Sequence, residues 1–286
     1  MKKVRHYEGD CFKFHKEVLS HKYKGITKTE VTKLETKLKD AFSKYEQNFN
    51  ADTLQQLIPL ALSAKQKDAL QNMYSYKGAA FKELKRILTT NENGRQFVTC
   101  PNCTIDSVGS FDHQVPQTEF PEYSDNPLNL IVCCTTCNSK KNNIWRADGH
   151  RTFLNLYIDD LPDVQYLFVD FDFSYGTPMI TYVVRNDNGI PDDLYHKIEN
   201  HYKRLDLCIR FRESSDALID ELEFLISKYK QSFSSECIKQ VVIDKAQYWQ
   251  QCYGYNYWKS ILYISCCENE KMFNFLLFGL VFDDAE

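Results

Sequence analysis

Two pairs of closely spaced cysteines constrain this 286-residue chain more than any other feature of its sequence. The first pair is Cys100 and Cys103, and the second is Cys134 and Cys137. Two C-x2-C pairs supply the four sulfur ligands of a closed, tetrahedral zinc site. Four thiolates leave Zn²⁺ no open position for chemistry, so we expect a structural metal that pins the surrounding loops together.

The remaining cysteines leave two alternatives open. A C-x2-C spacing can arise by chance in a chain with 11 cysteines, and Cys133 could replace its neighbour Cys134 as a ligand. The seven cysteines outside the pairs have no spacing typical of a disulfide framework, which favours a reducing compartment. The sequence shows neither a signal peptide after Met1 nor an apolar run long enough to span a bilayer. We therefore expect a cytoplasmic protein that is not in the membrane.

Four polar residues between and just after the cysteine pairs indicate a second, chemically active site. They are Asp112, His113, Asn129 and Asn138. Adjacent residues of a strand point to opposite faces, so Asp112 and His113 would diverge if they lie on one strand. The alternative is a turn residue beside a surface histidine.

The segment from about residue 100 to residue 143 resembles the HNH endonuclease family, whose ββα-metal motif is a two-stranded hairpin followed by a short helix. The residues that carry the resemblance are the four cysteines, Asp112-His113-Gln114-Val115-Pro116, Asn129-Leu130, Asn138 and Lys141. Residues 120–131 also look like a subset of free-standing bacterial HNH proteins, many encoded in antiviral defence loci. The resemblance implies that Asn129 orients the His113 imidazole. Asn138 stands where a third histidine is common, and it keeps an oxygen ligand for a metal.

The same residues suit phosphodiester hydrolysis on chemical grounds alone. That reaction needs an activated water and neutralisation of the charge that develops on the phosphate oxygens. A hard cation, Mg²⁺ or Mn²⁺, could be held by the Asp112 carboxylate and the Asn138 amide oxygen. His113 titrates near neutrality and is the expected general base. Lys141 lies three residues after Asn138 on the same helix face, where it could contact phosphate. Lys140 is a second candidate contact, and the alternative for both is a solvated helix residue.

The N-terminal third of the chain is basic and its sequence pattern is helical. Residues 1–100 hold 19 Lys and Arg against 11 Asp and Glu, whereas residues 151–286 hold 13 against 22. Apolar spacings of three and four predict a helix over residues 27–48, and two further helices are expected over 54–62 and 77–88. Lys82, Lys85 and Arg86 in the last of these are candidate nucleic-acid contacts, although a solvated helical surface is the alternative.

The chain after residue 150 predicts one hairpin and then helices. Residues 164–172 and 178–185 alternate as two strands, and helices are expected over 192–204, 215–231, 235–252 and 256–280, with a break near Cys267. Earlier in the chain, a turn signal at residues 91–94 separates the basic helical segment from the segment that contains the cysteine pairs. We therefore expect an α+β protein with a basic helical arm (1–92), a zinc-stapled ββα-metal core (93–150), and a mostly helical region with one hairpin (151–286).

Together these features predict a metal-dependent endonuclease that acts on DNA, with a role in antiphage defence implied by the resemblance. An RNA endonuclease of the same fold and a non-catalytic, zinc-stabilised nucleic-acid-binding module are the alternatives. The aromatic, acidic C-terminal region could dock a protein partner, such as an ATPase sensor encoded alongside. Its rings, which include Tyr248, Trp249 and Trp258, could equally fill a helical core.

Overall fold

A computed structural model describes residues 1–91 and 93–279, and it divides the chain into two compact units. The first unit is Lys2–Asp160, and the second comprises Met1 and the chain from Leu161 onward. The expected segments 1–92 and 93–150 thus both fall within the first unit, Met1 apart. Among the described residues the fold is mixed, with α-helices and small two-stranded antiparallel sheets.

The first unit holds six α-helices and four strands among its described residues. The helices are α1 (Cys11–Ser20), α2 (Ile26–Lys33), α3 (Glu35–Asn50), α4 (Ala64–Gln71), α5 (Ala79–Leu88) and α6 (Thr135–Lys141). The strands are β1 (Ser110–His113), β2 (Leu130–Cys133), β3 (Arg146–Ala147) and β4 (His150–Arg151). Short 3-10 helices span Leu54–Gln56, Pro121–Tyr123 and Pro127–Asn129.

The centre of this unit is a hairpin followed directly by a helix. Strands β1 and β2 are antiparallel, with Asp112 opposite Ile131 and His113 opposite Leu130. Helix α6 begins immediately after β2, because Cys134 caps it by accepting a hydrogen bond from the Cys137 backbone N–H. The order strand, strand, helix predicted from the sequence is therefore present.

The basic N-terminal segment is part of the compact unit and does not form a separate arm. Helix α3 buries one stripe of side chains, and its Phe42 and Tyr45 rings contact Tyr123 in the loop between β1 and β2. A regular stripe of apolar residues on a helix is stabilised only by a surface that covers it. The expectation of an arm is corrected for that reason.

Two of the helix boundaries in this segment also differ from the predictions. The helix expected over residues 27–48 is interrupted at Leu34, which separates α2 from α3. The helix expected over residues 54–62 is a single 3-10 turn, because Pro59 keeps the residue before it out of the helical conformation. Helix α4 begins instead at a capping box formed by Ser63 and Gln66.

The turn signal at residues 91–94 includes Glu92, which lies outside the described residues. The Gly94 backbone N–H donates to the Asn91 carbonyl over 2.9 Å, and Gly94 has a φ of +74°. A positive φ of this kind is adopted readily by glycine, so the turn sits where the sequence predicted it.

In its described residues, the second unit is one hairpin with six helices. The elements are β5 (Leu167–Asp172), β6 (Met179–Val184), α7 (Asp192–Arg204), α8 (Leu207–Glu213), α9 (Asp216–Tyr229), α10 (Ser235–Tyr253), α11 (Trp258–Glu268) and α12 (Glu270–Phe278). The predicted hairpin and the break near Cys267 are confirmed, the break falling at Asn269, which caps α12. Helix α8 was not predicted, and the end of the helix expected over 256–280 lies outside the described residues.

The aromatic residues of the second unit are divided between its core and its surface. Tyr257 and Trp258 are buried, whereas 63% of Tyr248 is exposed. Part of the aromatic content therefore fills the core of the unit. Docking of a protein partner stays a prediction. Within the described ranges, no helix is both long and apolar enough to cross a membrane.

The packing of α3 against the loop predicts a large effect of Phe42→Ala. Phe42 is 3% exposed and lies against His15 and Tyr123, with ring centroids 5.2 and 6.4 Å away. The cavity left by truncation should lower the free energy of unfolding by about 3 to 5 kcal/mol, measured by urea denaturation. Ile26→Ala, at a side chain that is 66% exposed, should change it by less than about 0.5 kcal/mol. Equal stabilities of the two variants would contradict the packing.

Candidate active site and metal centre

The four cysteines of the two C-x2-C pairs converge on one point. Their sulfur atoms all lie within 4.8 Å of one another, and all four residues are buried. The Cys103 and Cys134 sulfurs are 3.8 Å apart. Four sulfurs bound tetrahedrally at about 2.3 Å from Zn²⁺ would be separated by about 3.8 Å, so the spacing fits the metal. The cluster could thus hold a structural metal ion such as zinc.

The structure distinguishes Cys134 from its neighbour Cys133. Cys133 lies outside the cluster, and its sulfur is 3.3 Å from the Ser110 hydroxyl oxygen. Burial raises the pKa of the Cys133 thiol well above its ordinary value, which opposes formation of a thiolate. The cysteine after β2 that faces the cluster is therefore Cys134.

The active-site candidates line one cavity of about 390 Å³ beside the hairpin. Asp112 and His113 come from the end of β1, and Asn138 comes from α6. The strand-strand-helix order thus brings these three residues, from two different elements, to one cavity. We call this space the His113 cavity.

The His113 imidazole is held by a backbone carbonyl. Its Nε2 lies 2.9 Å from the Ser124 carbonyl oxygen, which can only accept a hydrogen bond. Nε2 therefore carries the proton, and Nδ1 of the neutral ring has a free lone pair. Burial lowers the pKa of His113 to about 4, against the opposing effect of the Ser124 carbonyl, so the ring is neutral at pH 7. This is the protonation state that a general base requires.

Asp112 turns toward α6, away from the loop that holds His113. Its Oδ1 accepts a hydrogen bond of 2.9 Å from the Lys141 ammonium, and both side chains are buried. Lys141 also donates to the His113 backbone carbonyl over 2.7 Å. Burial raises the pKa of Asp112, and the Lys141 charge opposes that shift.

This placement of Lys141 differs from the phosphate contact that the sequence predicted. The side chain is 5% exposed, and its ammonium donates to Asp112 and to a backbone oxygen. A lysine stem can be buried when its charge finds such partners. Helix position alone could not distinguish a lysine that points into the fold from one that points to solvent.

Asn138 completes the oxygen donors of the cavity. Its Nδ2 donates to the Phe111 carbonyl over 3.3 Å, which fixes the carboxamide against β1 and leaves the amide oxygen out of that bond. A carboxylate and a carboxamide oxygen form the kind of donor set that suits a hard divalent cation, which retains several waters. The chemistry of the residues therefore fits Mg²⁺ or Mn²⁺.

Asn129 supports the His113 cavity indirectly. Its Oδ1 accepts from the Val115 N–H and the Tyr45 hydroxyl, and its Nδ2 donates to the Val115 and Tyr123 carbonyls. The ring nitrogen Nε2 of His113 is instead bonded to Ser124. The orientation of the imidazole by Asn129 therefore stays a prediction, and it would act through the loop. Asn129 joins the two ends of the loop that supplies the Ser124 carbonyl.

A buried hydrogen-bonded pair lies behind the same loop and was not predicted from the sequence. His15 of α1 places its Nδ1 2.9 Å from an Asp125 carboxylate oxygen, and both side chains are at most 2% exposed. Asp125 directly follows Ser124, so α1 braces the segment that holds the imidazole. The only local signal was the acidic and amide-rich sequence of the loop, which gives no indication of its distant partner.

The basic candidates are placed in different ways. Lys82 is exposed on α5, and Arg86 pairs with Glu83 on the same helix. Lys85 donates to the Val108 carbonyl over 3.1 Å, which ties α5 to the chain before β1. Lys140 is half-buried on α6. None of these basic residues is among those that line the His113 cavity in the described structure.

The chain is distantly similar to a phage protein. The chain is similar to protein ea31 of Escherichia phage lambda, with 27% identity over 192 residues. The similarity covers 61% of this chain and 63% of the phage protein, so the chain spans less than two thirds of its relative's length. No protein-family model matches the chain. No solved structure matches it.

The sulfur cluster predicts one Zn²⁺ per chain and a strong dependence of folding on each ligand. Cys137→Ser should yield protein that is zinc-free and unfolded, because structural zinc contributes on the order of 10 kcal/mol in small metal-stapled units. Elemental analysis and circular dichroism would measure the two effects. Cys237→Ser, at an exposed thiol outside the cluster, is the matched control and should keep both properties. Folded wild-type protein without zinc would contradict the prediction.

The buried ion pair between Asp112 and Lys141 predicts a metal-dependent effect of Lys141→Met. Removal of the ammonium leaves the Asp112 charge buried and should lower the free energy of unfolding by about 3 kcal/mol. Added Mg²⁺ should reduce this deficit, since a cation bound at Asp112 restores the lost positive charge. Lys140→Met is the adjacent control. A stability of Lys141→Met equal to that of the control would show that the pair is unimportant.

Proposed function

We propose that the protein is a metal-dependent endonuclease that hydrolyses phosphodiester bonds in DNA. One observation carries the proposal. A neutral imidazole, fixed through Nε2 by the Ser124 carbonyl, shares the His113 cavity with the Asp112 carboxylate and the Asn138 carboxamide. The hairpin-helix order and the four-cysteine cluster support a likeness to the HNH endonucleases.

His113 acts on the attacking water. Its Nδ1 lone pair accepts a proton while the water oxygen forms a bond to phosphorus and the bond to the leaving 3′-oxygen breaks. The Ser124 carbonyl keeps the ring from turning and stabilises the positive charge that forms on it. Asn129 and the His15–Asp125 pair hold that carbonyl in place, so these residues are positioning residues.

Asp112 and Asn138 would hold the catalytic Mg²⁺ or Mn²⁺. A bound divalent ion neutralises charge on the phosphate oxygens and assists the departure of the 3′-oxygen. With such an ion held at Asp112, the buried Lys141 ammonium would keep its bond to the His113 backbone carbonyl. The four cysteines would hold Zn²⁺ apart from the reaction.

Two alternatives keep the same fold and change the substrate or the chemistry. An RNA endonuclease, for example one that cuts tRNA, would use the same residues, since hydrolysis at phosphorus by an activated water does not involve the sugar's 2′-hydroxyl. A non-catalytic zinc-stabilised binding module has no need for the ordered imidazole. A role in antiphage defence stays a prediction of the family resemblance.

We expect purified protein to cut plasmid DNA when Mg²⁺ or Mn²⁺ is added and to leave total RNA intact, as followed by gel electrophoresis. His113→Ala should lower the cleavage rate by at least about a hundredfold while zinc content and the unfolding transition are kept. Asp112→Ala and Asn138→Ala should shift the response to higher Mg²⁺ concentrations.

His150→Ala is the matched control, because His150 is an exposed histidine on β4 that is not among the residues lining the His113 cavity. It should cut at the wild-type rate. Cleavage by His113→Ala at that same rate would remove the imidazole from the role of base. Cleavage of RNA alone would select the first alternative, and DNA binding without cleavage would select the second.

A further inference from the structure

Tyr74 reaches the His113 cavity from a distant part of the sequence. It lies between α4 and α5, far upstream of the hairpin, and it lines the cavity beside Asp112 and His113. Its ring centroid is 4.8 Å from that of the imidazole, and the two planes meet at 72°. An edge-to-face contact of this kind limits rotation of both rings. Phe81 holds the other side of Tyr74, with centroids 5.3 Å apart.

The hydroxyl of Tyr74 has a hydrogen to donate. Burial raises the pKa of Tyr74 to about 12, and the Phe111 backbone opposes that shift. The phenol is therefore protonated at neutral pH, and its O–H can donate a hydrogen bond. Across residues 1–91 and 93–279, the Tyr74 hydroxyl donates to no side-chain or backbone acceptor. Its hydrogen is available to a ligand in the cavity.

The described side chains that line the cavity include no cation that could pair with an anionic substrate. Its lining contains the Asp112 carboxylate and no lysine or arginine. The nearest buried ammonium, that of Lys141, is engaged with Asp112 and a backbone carbonyl. A hydroxyl that donates to a charged phosphate oxygen forms a stronger hydrogen bond than one between two neutral groups.

We propose that Tyr74 contacts the nucleic-acid backbone, donating its hydroxyl hydrogen to a phosphate oxygen at the cleavage site while its ring holds the His113 imidazole in place. This inference rests on the proposed function and extends it to a residue outside the hairpin and helix. The two parts of the role are separable, because phenylalanine keeps the ring and lacks the donor, whereas alanine lacks both.

The test compares Tyr74→Phe, Tyr74→Ala and Tyr76→Phe in DNA cleavage and in DNA binding. Tyr76 is the matched control, a neighbouring tyrosine that packs on Phe111 with centroids 5.6 Å apart and is not among the cavity-lining residues. Loss of a hydrogen bond to a charged group predicts a fall in kcat/KM of about tenfold or more for Tyr74→Phe. Tyr74→Ala should lower kcat further, and the ¹⁵N resonances of the His113 ring should move in this variant alone. Tyr76→Phe should match the wild type.

Binding of a short fluorescein-labelled DNA duplex, measured by anisotropy with the divalent ion omitted, separates the two proposals. Weaker binding by Tyr74→Phe than by Tyr76→Phe supports the phosphate contact even if the wild type cuts nothing, an outcome that would overturn only the endonuclease. Wild-type cleavage and binding by Tyr74→Phe, together with an unchanged imidazole spectrum in Tyr74→Ala, would overturn the role of Tyr74 and leave the endonuclease standing. A wild-type protein that neither binds nor cuts DNA would overturn both.

Discussion

The convergence of four thiols at the base of the hairpin is the constraint on which the candidate site depends. Cys100 and Cys103 lie before β1, and Cys134 and Cys137 lie at the start of α6, so one metal ion would join the chain on both sides of the hairpin. A two-stranded hairpin of four-residue strands has little stability of its own in water. A metal ion bound by the cluster would supply the cross-link that such a short hairpin lacks, between the chain before β1 and the start of α6.

The loop between β1 and β2 contains many buried polar groups, and hydrogen bonds among them hold its conformation. Glu122, Ser124, Asp125, Asn126 and Asn129 are all at most 1% exposed. Such groups are tolerated in a protein interior when they are hydrogen-bonded, and Asn129 makes four bonds that tie the loop's ends to each other and to α3. These bonds hold the Ser124 carbonyl in place, and that carbonyl holds the His113 ring.

The N-terminal helices belong to the site because their side chains hold the loop and the imidazole. Tyr45, His15 and Tyr74 come from α3, from α1 and from the segment before α5, and each contacts the loop or the imidazole itself. The excess of positive charge in this part of the sequence reflects exposed faces of helices whose other faces are buried. The exposed faces of these helices carry the basic residues, and their buried faces support the site.

The sequence by itself determined the features that depend on local spacing. The cysteine pairs, the pairing of Asp112 and His113 on one strand, and the hairpin over β5 and β6 follow from period-two alternation and fixed intervals. The break before α12 and the turn at Gly94 follow from residues that favour caps and turns. Such features are local because the backbone conformation of a few residues decides them.

Only the tertiary structure decided the partners of the polar groups. Lys141 points to Asp112 and not to solvent, Asn129 binds the loop and not the imidazole, and Tyr74 closes one side of the His113 cavity. These contacts join residues far apart in the chain, and many polar pairings are compatible with one pattern of polar and apolar residues. Packing decides which polar groups are buried away from water. Those groups must then pair with each other.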